Sequence, residues 1–167
     1  MQQDAAWSQS YLASRQEMAA DQPLIWLGIE ATQTRVVTGT VAEYALVCLP
    51  IGHSQLGSWQ PQHSPLTPFD LELAIALVED TLMPLAATMQ KDLPLLVSAP
   101  ALGDFPEQLP CELVEQRFGE LAARAEGDPL APRGEQSIAY SLSLLILREW
   151  MHHLGFHNAK IKTNKFK

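Results

Sequence analysis

A chain of 167 residues, 47% of them hydrophobic, can bury one ordinary core but is too short for two comfortable domains. Its net charge of −8 argues against strong nucleic-acid binding, because proteins that hold a phosphate backbone usually present a basic face. No apolar run approaches the ~20 residues of a membrane span, and the N-terminus has no signal-peptide pattern. We therefore expect a cytoplasmic protein with one domain at residues 23–157, preceded by a segment 1–22 and followed by a basic tail 158–167.

The first 22 residues are compatible with two structures. Trp7, Tyr11, Leu12 and Arg15 fall on one helical face, which favours a short amphipathic helix packed on the body or on a partner. The abundance of Gln, Ser and Ala and the lack of strong caps favour a partly ordered terminus just as well. The sequence Gln-Pro at residues 22–23 ends any such helix.

Residues 25–51 contain three apolar, β-branched runs separated by small polar residues. This pattern predicts three consecutive strands of an antiparallel meander. Cys48 lies in the third run, and Cys111 precedes a later apolar run. We interpret both cysteines as small buried hydrophobic residues and not as a disulfide or a metal site.

The loop at residues 52–68 is rich in Ser, Gln, His and Pro and has no periodic pattern. Loops of this length in a compact domain are usually functional or mobile. Its segment G-H-S-Q-L-G superficially resembles a hydrolase nucleophile elbow, but it is one residue too long and is followed by proline-rich loop where a helix is required. We therefore interpret Ser54 as an ordinary polar loop residue and not as a nucleophile.

A helix is predicted to begin after Thr67, with threonine at the N-cap, Pro68 at the first helical position and Asp70 at the third. An apolar stripe follows as far as Leu85, and Pro84 should kink or end the helix. The opposite side carries three acidic residues, which we interpret as a solvated face and not as a metal site: Glu72, Glu79 and Asp80.

Residues 93–99 read as a buried strand without polar alternation, as expected of a parallel or central strand. The three prolines at residues 100–110 predict a loop. Residues 111–126 allow two interpretations: a strand at 111–116 followed by a short helix, or one continuous helix that is weakened by Gly119. The local pattern does not decide between them.

A long, mostly buried helix is predicted to begin at Glu135 and to end at Gly155. A glycine suits the left-handed backbone conformation that often follows the last residue of a helix. Three histidines cluster near this end, at positions 152, 153 and 157. We interpret them as favourable partners of the helix dipole and not as metal ligands, because the helix stops before His157 and no ligand follows at metal-site spacing. The basic tail at 158–167 predicts an edge strand or a disordered end.

The order of these elements resembles the ribonuclease-H-like fold, and three stretches resemble its YqgF branch of Holliday-junction-resolvase-like proteins. Residues 27–35, L-G-I-E-A-T-Q-T-R, resemble that family's L-G-I-D-x-G-T-K-R, with Glu30 in place of the first aspartate. Residues 114–118, V-E-Q-R-F, resemble its D-E-R-[LF]-[ST] segment, and residues 138–150 resemble its closing helix. The resemblance implies an α/β fold with a mixed sheet, in which the meander is followed by helices and one or two further strands.

The resemblance also implies a divalent-metal site, and this sequence departs from it. Glu30 is longer than aspartate, the middle pair Glu115-Gln116 keeps one acid of two, and the third aspartate aligns with Ala139. Glu135, one helical turn earlier, is the nearest substitute. If the site were active, Glu30, Glu115 and Glu135 would hold magnesium or manganese beside a phosphate.

Three functions follow from this comparison. The eroded acids and the acidic charge favour a catalytically degenerate ribonuclease-H-like domain without a cofactor, which binds a protein partner or forms a homo-oligomer. The alternative is a metal-dependent nuclease that acts on structured nucleic acid. A third hypothesis, a small-molecule or phosphate-binding module of the actin and sugar-kinase type, shares the hairpin but lacks a second half-domain and glycine-rich phosphate loops.

Overall fold

The computed structural model describes residues 2–162 of the chain, so the end of the predicted tail, from residue 163 onward, lies outside the described residues. Six strands form one mixed sheet in the order β3-β2-β1-β4-β6-β5: β1 Leu24–Ile29, β2 Thr34–Gly39, β3 Tyr44–Leu49, β4 Leu95–Ser98, β5 Gln108–Pro110 and β6 Asn158–Ile161. Four α-helices accompany the sheet: α1 Gln2–Ser14, α2 Pro68–Ala86, α3 Cys111–Ala125 and α4 Ile138–Leu154.

The predicted α/β class with a mixed sheet is confirmed, as is the antiparallel meander of β1, β2 and β3. Strand β4 pairs with β1 in parallel, which agrees with its uninterrupted apolar sequence. The burial predicted for Cys48 is wrong, because β3 is an edge strand and exposes all its residues except Leu49. Both cysteines are free thiols.

The two faces of β1 belong to different cores, since side chains alternate along a strand. Ile25, Leu27 and Ile29 face the main core, which helices α2, α3 and α4 complete. Leu24 and Trp26 face a smaller cluster on the opposite side, where Tyr11 of helix α1 packs. Of the two structures expected for residues 1–22, the helix is therefore the one formed.

Helix α1 turns most of its predicted face inward, with Leu12 as the exception. Tyr11 is buried, whereas Leu12 is 49% exposed. Arg15 follows the end of the helix and is buried, and its guanidinium donates hydrogen bonds to the Tyr11 hydroxyl and to the Gly39 carbonyl oxygen. These contacts attach α1 to the meander.

Helix α2 begins as predicted, with a reciprocal capping box between Thr67 and Asp70. The Asp70 amide donates to Thr67 Oγ1 at 3.1 Å, and the Thr67 amide donates to Asp70 Oδ2 at 2.9 Å. Pro84 lies in the last turn, and the helix ends two residues later. None of the helices among residues 2–162 is both long and apolar enough to span a bilayer.

The ambiguity at residues 111–126 is resolved as the single helix α3, which buries Val114, Phe118 and Leu121. Gly119 is tolerated because a methyl group there would contact nothing within 4 Å. The preceding segment, predicted as loop because of its prolines, contains a strand: β5 is three residues long and pairs antiparallel with β6.

Helix α4 ends at Gly155 in the left-handed conformation (φ 76°), and the Phe156 amide donates to the Met151 carbonyl oxygen, as expected of this type of helix end. Strand β6 is not the predicted edge strand, because it lies between β4 and β5. Its lysines are accommodated by ion pairs: Lys160 and Lys162 both contact Glu17 and Glu107. The division of the chain at residues 22 and 157 stays a prediction.

The capping box makes stability depend on pH. Burial alone would raise the pKa of Asp70, but hydrogen bonds from Thr67, together with His63 at 3.0 Å, hold that pKa below its usual value. A depressed pKa in the folded state stabilises the protein above about pH 4, and this contribution is lost as the pH falls through the folded-state pKa. We expect Asp70→Asn to lose about 1 kcal/mol at pH 7 and almost nothing at pH 2, measured by urea unfolding at both pH values. An equal loss at both pH values would contradict this explanation.

Candidate functional site

Glu30 directly follows strand β1, at the edge of the sheet where the parallel strands end. Strands β1, β4 and β6 run in the same direction, so their carboxyl ends meet at this edge. In open α/β sheets, ligands bind outside the carboxyl ends of the strands. The β1–β2 turn, residues 30–33, is therefore the first place to look for a site.

A pocket of about 380 Å³ opens at this turn. It is lined by acidic, basic, hydroxyl and amide side chains and by small residues: Ala6, Glu30, Ala31, Thr32, Gln33 and Arg35. Because Ala6 belongs to α1, the N-terminal helix supplies part of one wall. We call this the turn pocket.

An ion pair forms the charged part of the turn pocket. Arg35 Nε donates to Glu30 Oε1 at 2.7 Å, and Gln33 Nε2 donates to Glu30 Oε2 at 3.1 Å. The Arg35 side chain is 9% exposed and the Glu30 side chain 37% exposed. The guanidinium also lies 5.6 Å from the centre of the Trp7 ring, so α1 fixes its orientation by a cation–π contact.

The start of the long loop supports the backbone of the turn from behind. The amides of His53 and Ser54 donate to the carbonyl oxygens of Glu30 and Ala31, at 2.9 and 2.8 Å. Gly52 fits against the same two carbonyl groups: a Cβ atom there would lie 2.4 Å from the Ala31 oxygen and 2.5 Å from the Glu30 oxygen. Sequence reasoning missed this role, although a glycine at the first position of a long functional or mobile loop was a usable signal.

The Glu30–Arg35 pair in the turn pocket has hydrogen-bond and charge capacity left for an anionic oxygen and for a cation. A guanidinium has five N–H donors, and the hydrogen bonds described for Arg35 use Nε and Nη1. A carboxylate has about four acceptor positions, and Glu30 uses two of them for Arg35 and Gln33. The pair therefore keeps capacity for one anionic oxygen and one cation.

A larger pocket, of about 580 Å³, lies further along the same edge beside Lys162. Its lining contains three acidic residues against that single lysine: Glu17, Asp104 and Glu107. Lys162 Nζ already lies 3.0 Å from Glu17 and 3.1 Å from Glu107. The balance of charge in this second pocket disfavours an anion, so the turn pocket is the better anion site.

Of the three acids that the sequence singled out, only Glu30 lines the turn pocket. Glu115 lies on α3 and pairs with Arg148, with 3.1 Å between Oε2 and Nε. Glu135 accepts hydrogen bonds from the amides of Gln136 and Ser137 just before α4, which lowers its pKa. Within residues 2–162, the three acids do not form a group whose ligand atoms all lie within 4.8 Å of one another.

One group among the described residues does meet that distance: Glu79, Glu149 and His153. The expectation of a chain without a metal is therefore not supported, because these residues could hold a divalent ion. Sequence reasoning missed the group, since it assigned Glu79 to a solvated face and His153 to a helix dipole. Seventy-four residues separate these two in the chain.

Comparison with known proteins finds no family model and no curated protein that matches. Solved structures do share the fold. The PPX-GPPA enzyme of Aquifex aeolicus superimposes with a TM-score of 0.66 at 11% identity, over 92% of this chain and 57% of its own. An exopolyphosphatase from Cytophaga hutchinsonii gives 0.65 at 11% identity, over 90% and 56%. The chain thus spans a little over half the length of these neighbours.

These structures correct the resemblance inferred from the sequence. The matches have the Ppx/GppA fold, which is actin-like, and they are not resolvases of the YqgF branch. The degenerate ribonuclease-H-like scaffold and the nuclease are both wrong as functions, because the proteins that share the fold are described as exopolyphosphatases and PPX-GPPA enzymes. The third hypothesis, the actin and sugar-kinase type of module, named the related fold.

Proposed function

We propose that this chain is a phosphate-binding lobe of a phosphatase-type enzyme that acts on chains of phosphoanhydrides such as inorganic polyphosphate. The observation that carries the proposal is the Glu30–Arg35 pair in a pocket at the carboxyl edge of a sheet whose fold matches exopolyphosphatases. The ribonuclease-H-like arrangement is retained only as a proposal for how the sheet of this lobe is built.

Arg35 is the residue that would bind a phosphoryl oxygen. Its planar guanidinium matches the geometry of phosphate, and its charge does not depend on pH in the physiological range. Glu30 and Trp7 hold that guanidinium in place, so little side-chain entropy is lost on binding. The Thr32 side chain lines the same pocket and would add a hydroxyl donor.

The net charge of −8 disfavours a bare polyanion as a ligand. A divalent ion that arrives with the phosphates would reduce this repulsion. Magnesium is usually held by one or two carboxylates together with substrate phosphates, and Glu30 is the carboxylate in the turn pocket. We therefore propose Mg²⁺ or Mn²⁺ as the accompanying ion, which would neutralise phosphate charge.

Binding of polyphosphate in the presence of Mg²⁺, measured by isothermal titration, tests the role of this lobe. We expect the wild-type chain to bind polyphosphate and Arg35→Ala to raise the dissociation constant at least tenfold, because a hydrogen bond to a charged group is worth about 1.5–3 kcal/mol. Arg133→Ala is the matched control: it removes the same charge from an exposed residue outside the turn pocket and should leave the dissociation constant unchanged.

Absence of binding by the wild-type chain would contradict the phosphate-binding function, and equal loss in both variants would show an effect of overall charge only. A protein partner or a second copy of the chain stays a prediction. Light scattering at several protein concentrations measures whether two copies of the chain associate.

A further inference from the structure

The group formed by Glu79, Glu149 and His153 lies between helices α2 and α4 and lines none of the pockets described above. The ligand-type atoms of these three residues all lie within 4.8 Å of one another. Glu79 belongs to α2, and the other two residues are four apart on α4, so they share one helical face. We call this group the interhelix cluster.

The central feature of the interhelix cluster is a histidine nitrogen between two carboxylates. His153 Nε2 lies 3.0 Å from Glu79 Oε1 and 2.8 Å from Glu149 Oε2. A ring nitrogen carries at most one hydrogen, and here the hydrogen bond is aligned with Glu79. Glu149 Oε2 is consequently left without a hydrogen-bond donor among the described residues.

A carboxylate oxygen that accepts no hydrogen bond is unusual at this position, because Glu149 is completely buried. Buried charged oxygens are normally satisfied by hydrogen bonds, ion pairs or metal ions. Its other oxygen, Oε1, accepts a hydrogen bond from Arg148, so that arginine does not satisfy Oε2. The unsatisfied oxygen faces the histidine nitrogen and, beyond it, the second carboxylate.

We propose that the interhelix cluster binds one divalent transition-metal ion, of which Zn²⁺ is the best fit. Imidazole nitrogen and carboxylate oxygen together suit zinc. Two ligands of a tetrahedral ion, each ~2.1 Å from it, are ~3.4 Å apart, so the 2.8 and 3.0 Å separations would widen by about half an ångström when the ion binds.

The exposure of the three residues suits an ion that enters from solvent. Glu149 is fully buried beneath the cluster, whereas the side chains of His153 and Glu79 are 24% and 40% exposed. Water can complete the coordination on that open side. The charge also balances. Arg148 contacts both Glu115 and Glu149, so this arginine and the three carboxylates of Glu79, Glu115 and Glu149 sum to about −2, which a divalent ion offsets beside a neutral imidazole.

A bound ion would cross-link α2 to α4, which are otherwise joined covalently only through the intervening chain. Binding to the folded state alone raises its stability according to mass action. We therefore expect zinc at about 100 times its dissociation constant to raise the Tm of the chelator-treated protein by about 8 °C. Magnesium at the same concentration should have no such effect.

The test is isothermal titration of chelator-treated wild-type protein with ZnCl₂, together with thermal unfolding. One ion per chain should bind, and both His153→Gln and Glu79→Gln should weaken binding at least tenfold and abolish the zinc-dependent rise in Tm. Glu79→Gln alters a partly exposed side chain, so it keeps the test valid if the other variant unfolds. His152→Gln and Glu72→Gln are the controls and should bind zinc as the wild type does.

Two results would overturn the proposal. The first is no stoichiometric zinc binding by the wild-type protein, in which case the cluster is an ion pair of a protonated histidine. The second is equal weakening by His152→Gln and His153→Gln, which would mean adventitious binding by exposed imidazoles. Neither result bears on phosphate binding at the turn pocket, which uses none of these residues.

Discussion

Replacing Gly52 with alanine should destabilise the protein by about 3 kcal/mol, because overpacking of this kind forces rigid groups apart. The new Cβ would lie 2.4 Å from the Ala31 carbonyl oxygen and 2.5 Å from that of Glu30, and both are backbone atoms. To relieve these contacts, the loop must move away from the turn and break the hydrogen bonds from His53 and Ser54. Urea unfolding measures the loss directly.

Gly119→Ala is the matched control, since a methyl group there meets nothing within 4 Å and lies in the interior of α3. It should stabilise the protein by about 0.8 kcal/mol through helix propensity. At a temperature where the variant is still folded, Gly52→Ala should also lower the affinity of the turn pocket for its ligand. Unchanged stability in Gly52→Ala would mean that the loop does not support the turn.

Replacing Arg15 with methionine should cost about 3 kcal/mol, because one buried and three partly buried acceptors lose their charged donor. The guanidinium of Arg15 serves the Tyr11 hydroxyl and the carbonyl oxygens of Ala19, Gln22 and Gly39. Methionine fills much of the same space but donates nothing. Helix α1 should then detach from the meander, which limited proteolysis would detect as early cleavage within residues 2–22.

The control for this effect is Arg133→Met, which changes an exposed arginine and should alter stability by less than 0.5 kcal/mol. Arg15→Lys should fall between wild type and Arg15→Met, because a single ammonium group cannot reach all the acceptors. Equal stability of Arg15→Met and the wild type would contradict the role of Arg15 in attaching α1.

The elements with strong local signals could be predicted from the sequence. The capping box at Thr67 and Asp70 and the left-handed Gly155 are set by neighbouring residues, and both are found. The meander also follows from short apolar, β-branched runs separated by small polar residues. These features depend on interactions within a few residues, which a sequence pattern records.

Features that depend on distant pairing could not be predicted. Strand β5 has three residues and ends in proline, and it exists because β6 pairs with it. The lysines of β6 suggested an edge strand, but Glu17 and Glu107 neutralise them and allow an interior position. Cys48 reads as a core residue and yet lies on an exposed edge, because nothing in its own strand specifies which faces are covered.

In the candidate site, too, some residues could be predicted from local sequence and others could not. Glu30 could be located at the end of β1 because strand ends are visible in the sequence. The contact of Gly52 with the turn and the meeting of Glu79 with His153 require the tertiary fold. The family resemblance failed because a short strand-turn-strand motif with one acid is common to several related folds.

The most direct test of the phosphate site is a ¹⁵N NMR titration of the chain with tripolyphosphate and Mg²⁺. We expect saturable chemical-shift changes concentrated at the amides of residues 30–35 and at the Nε–H of Arg35, and their loss in Arg35→Ala. Shifts centred on Lys160 and Lys162 instead, or no saturable shift at any concentration, would contradict the assignment of the turn pocket as the phosphate site.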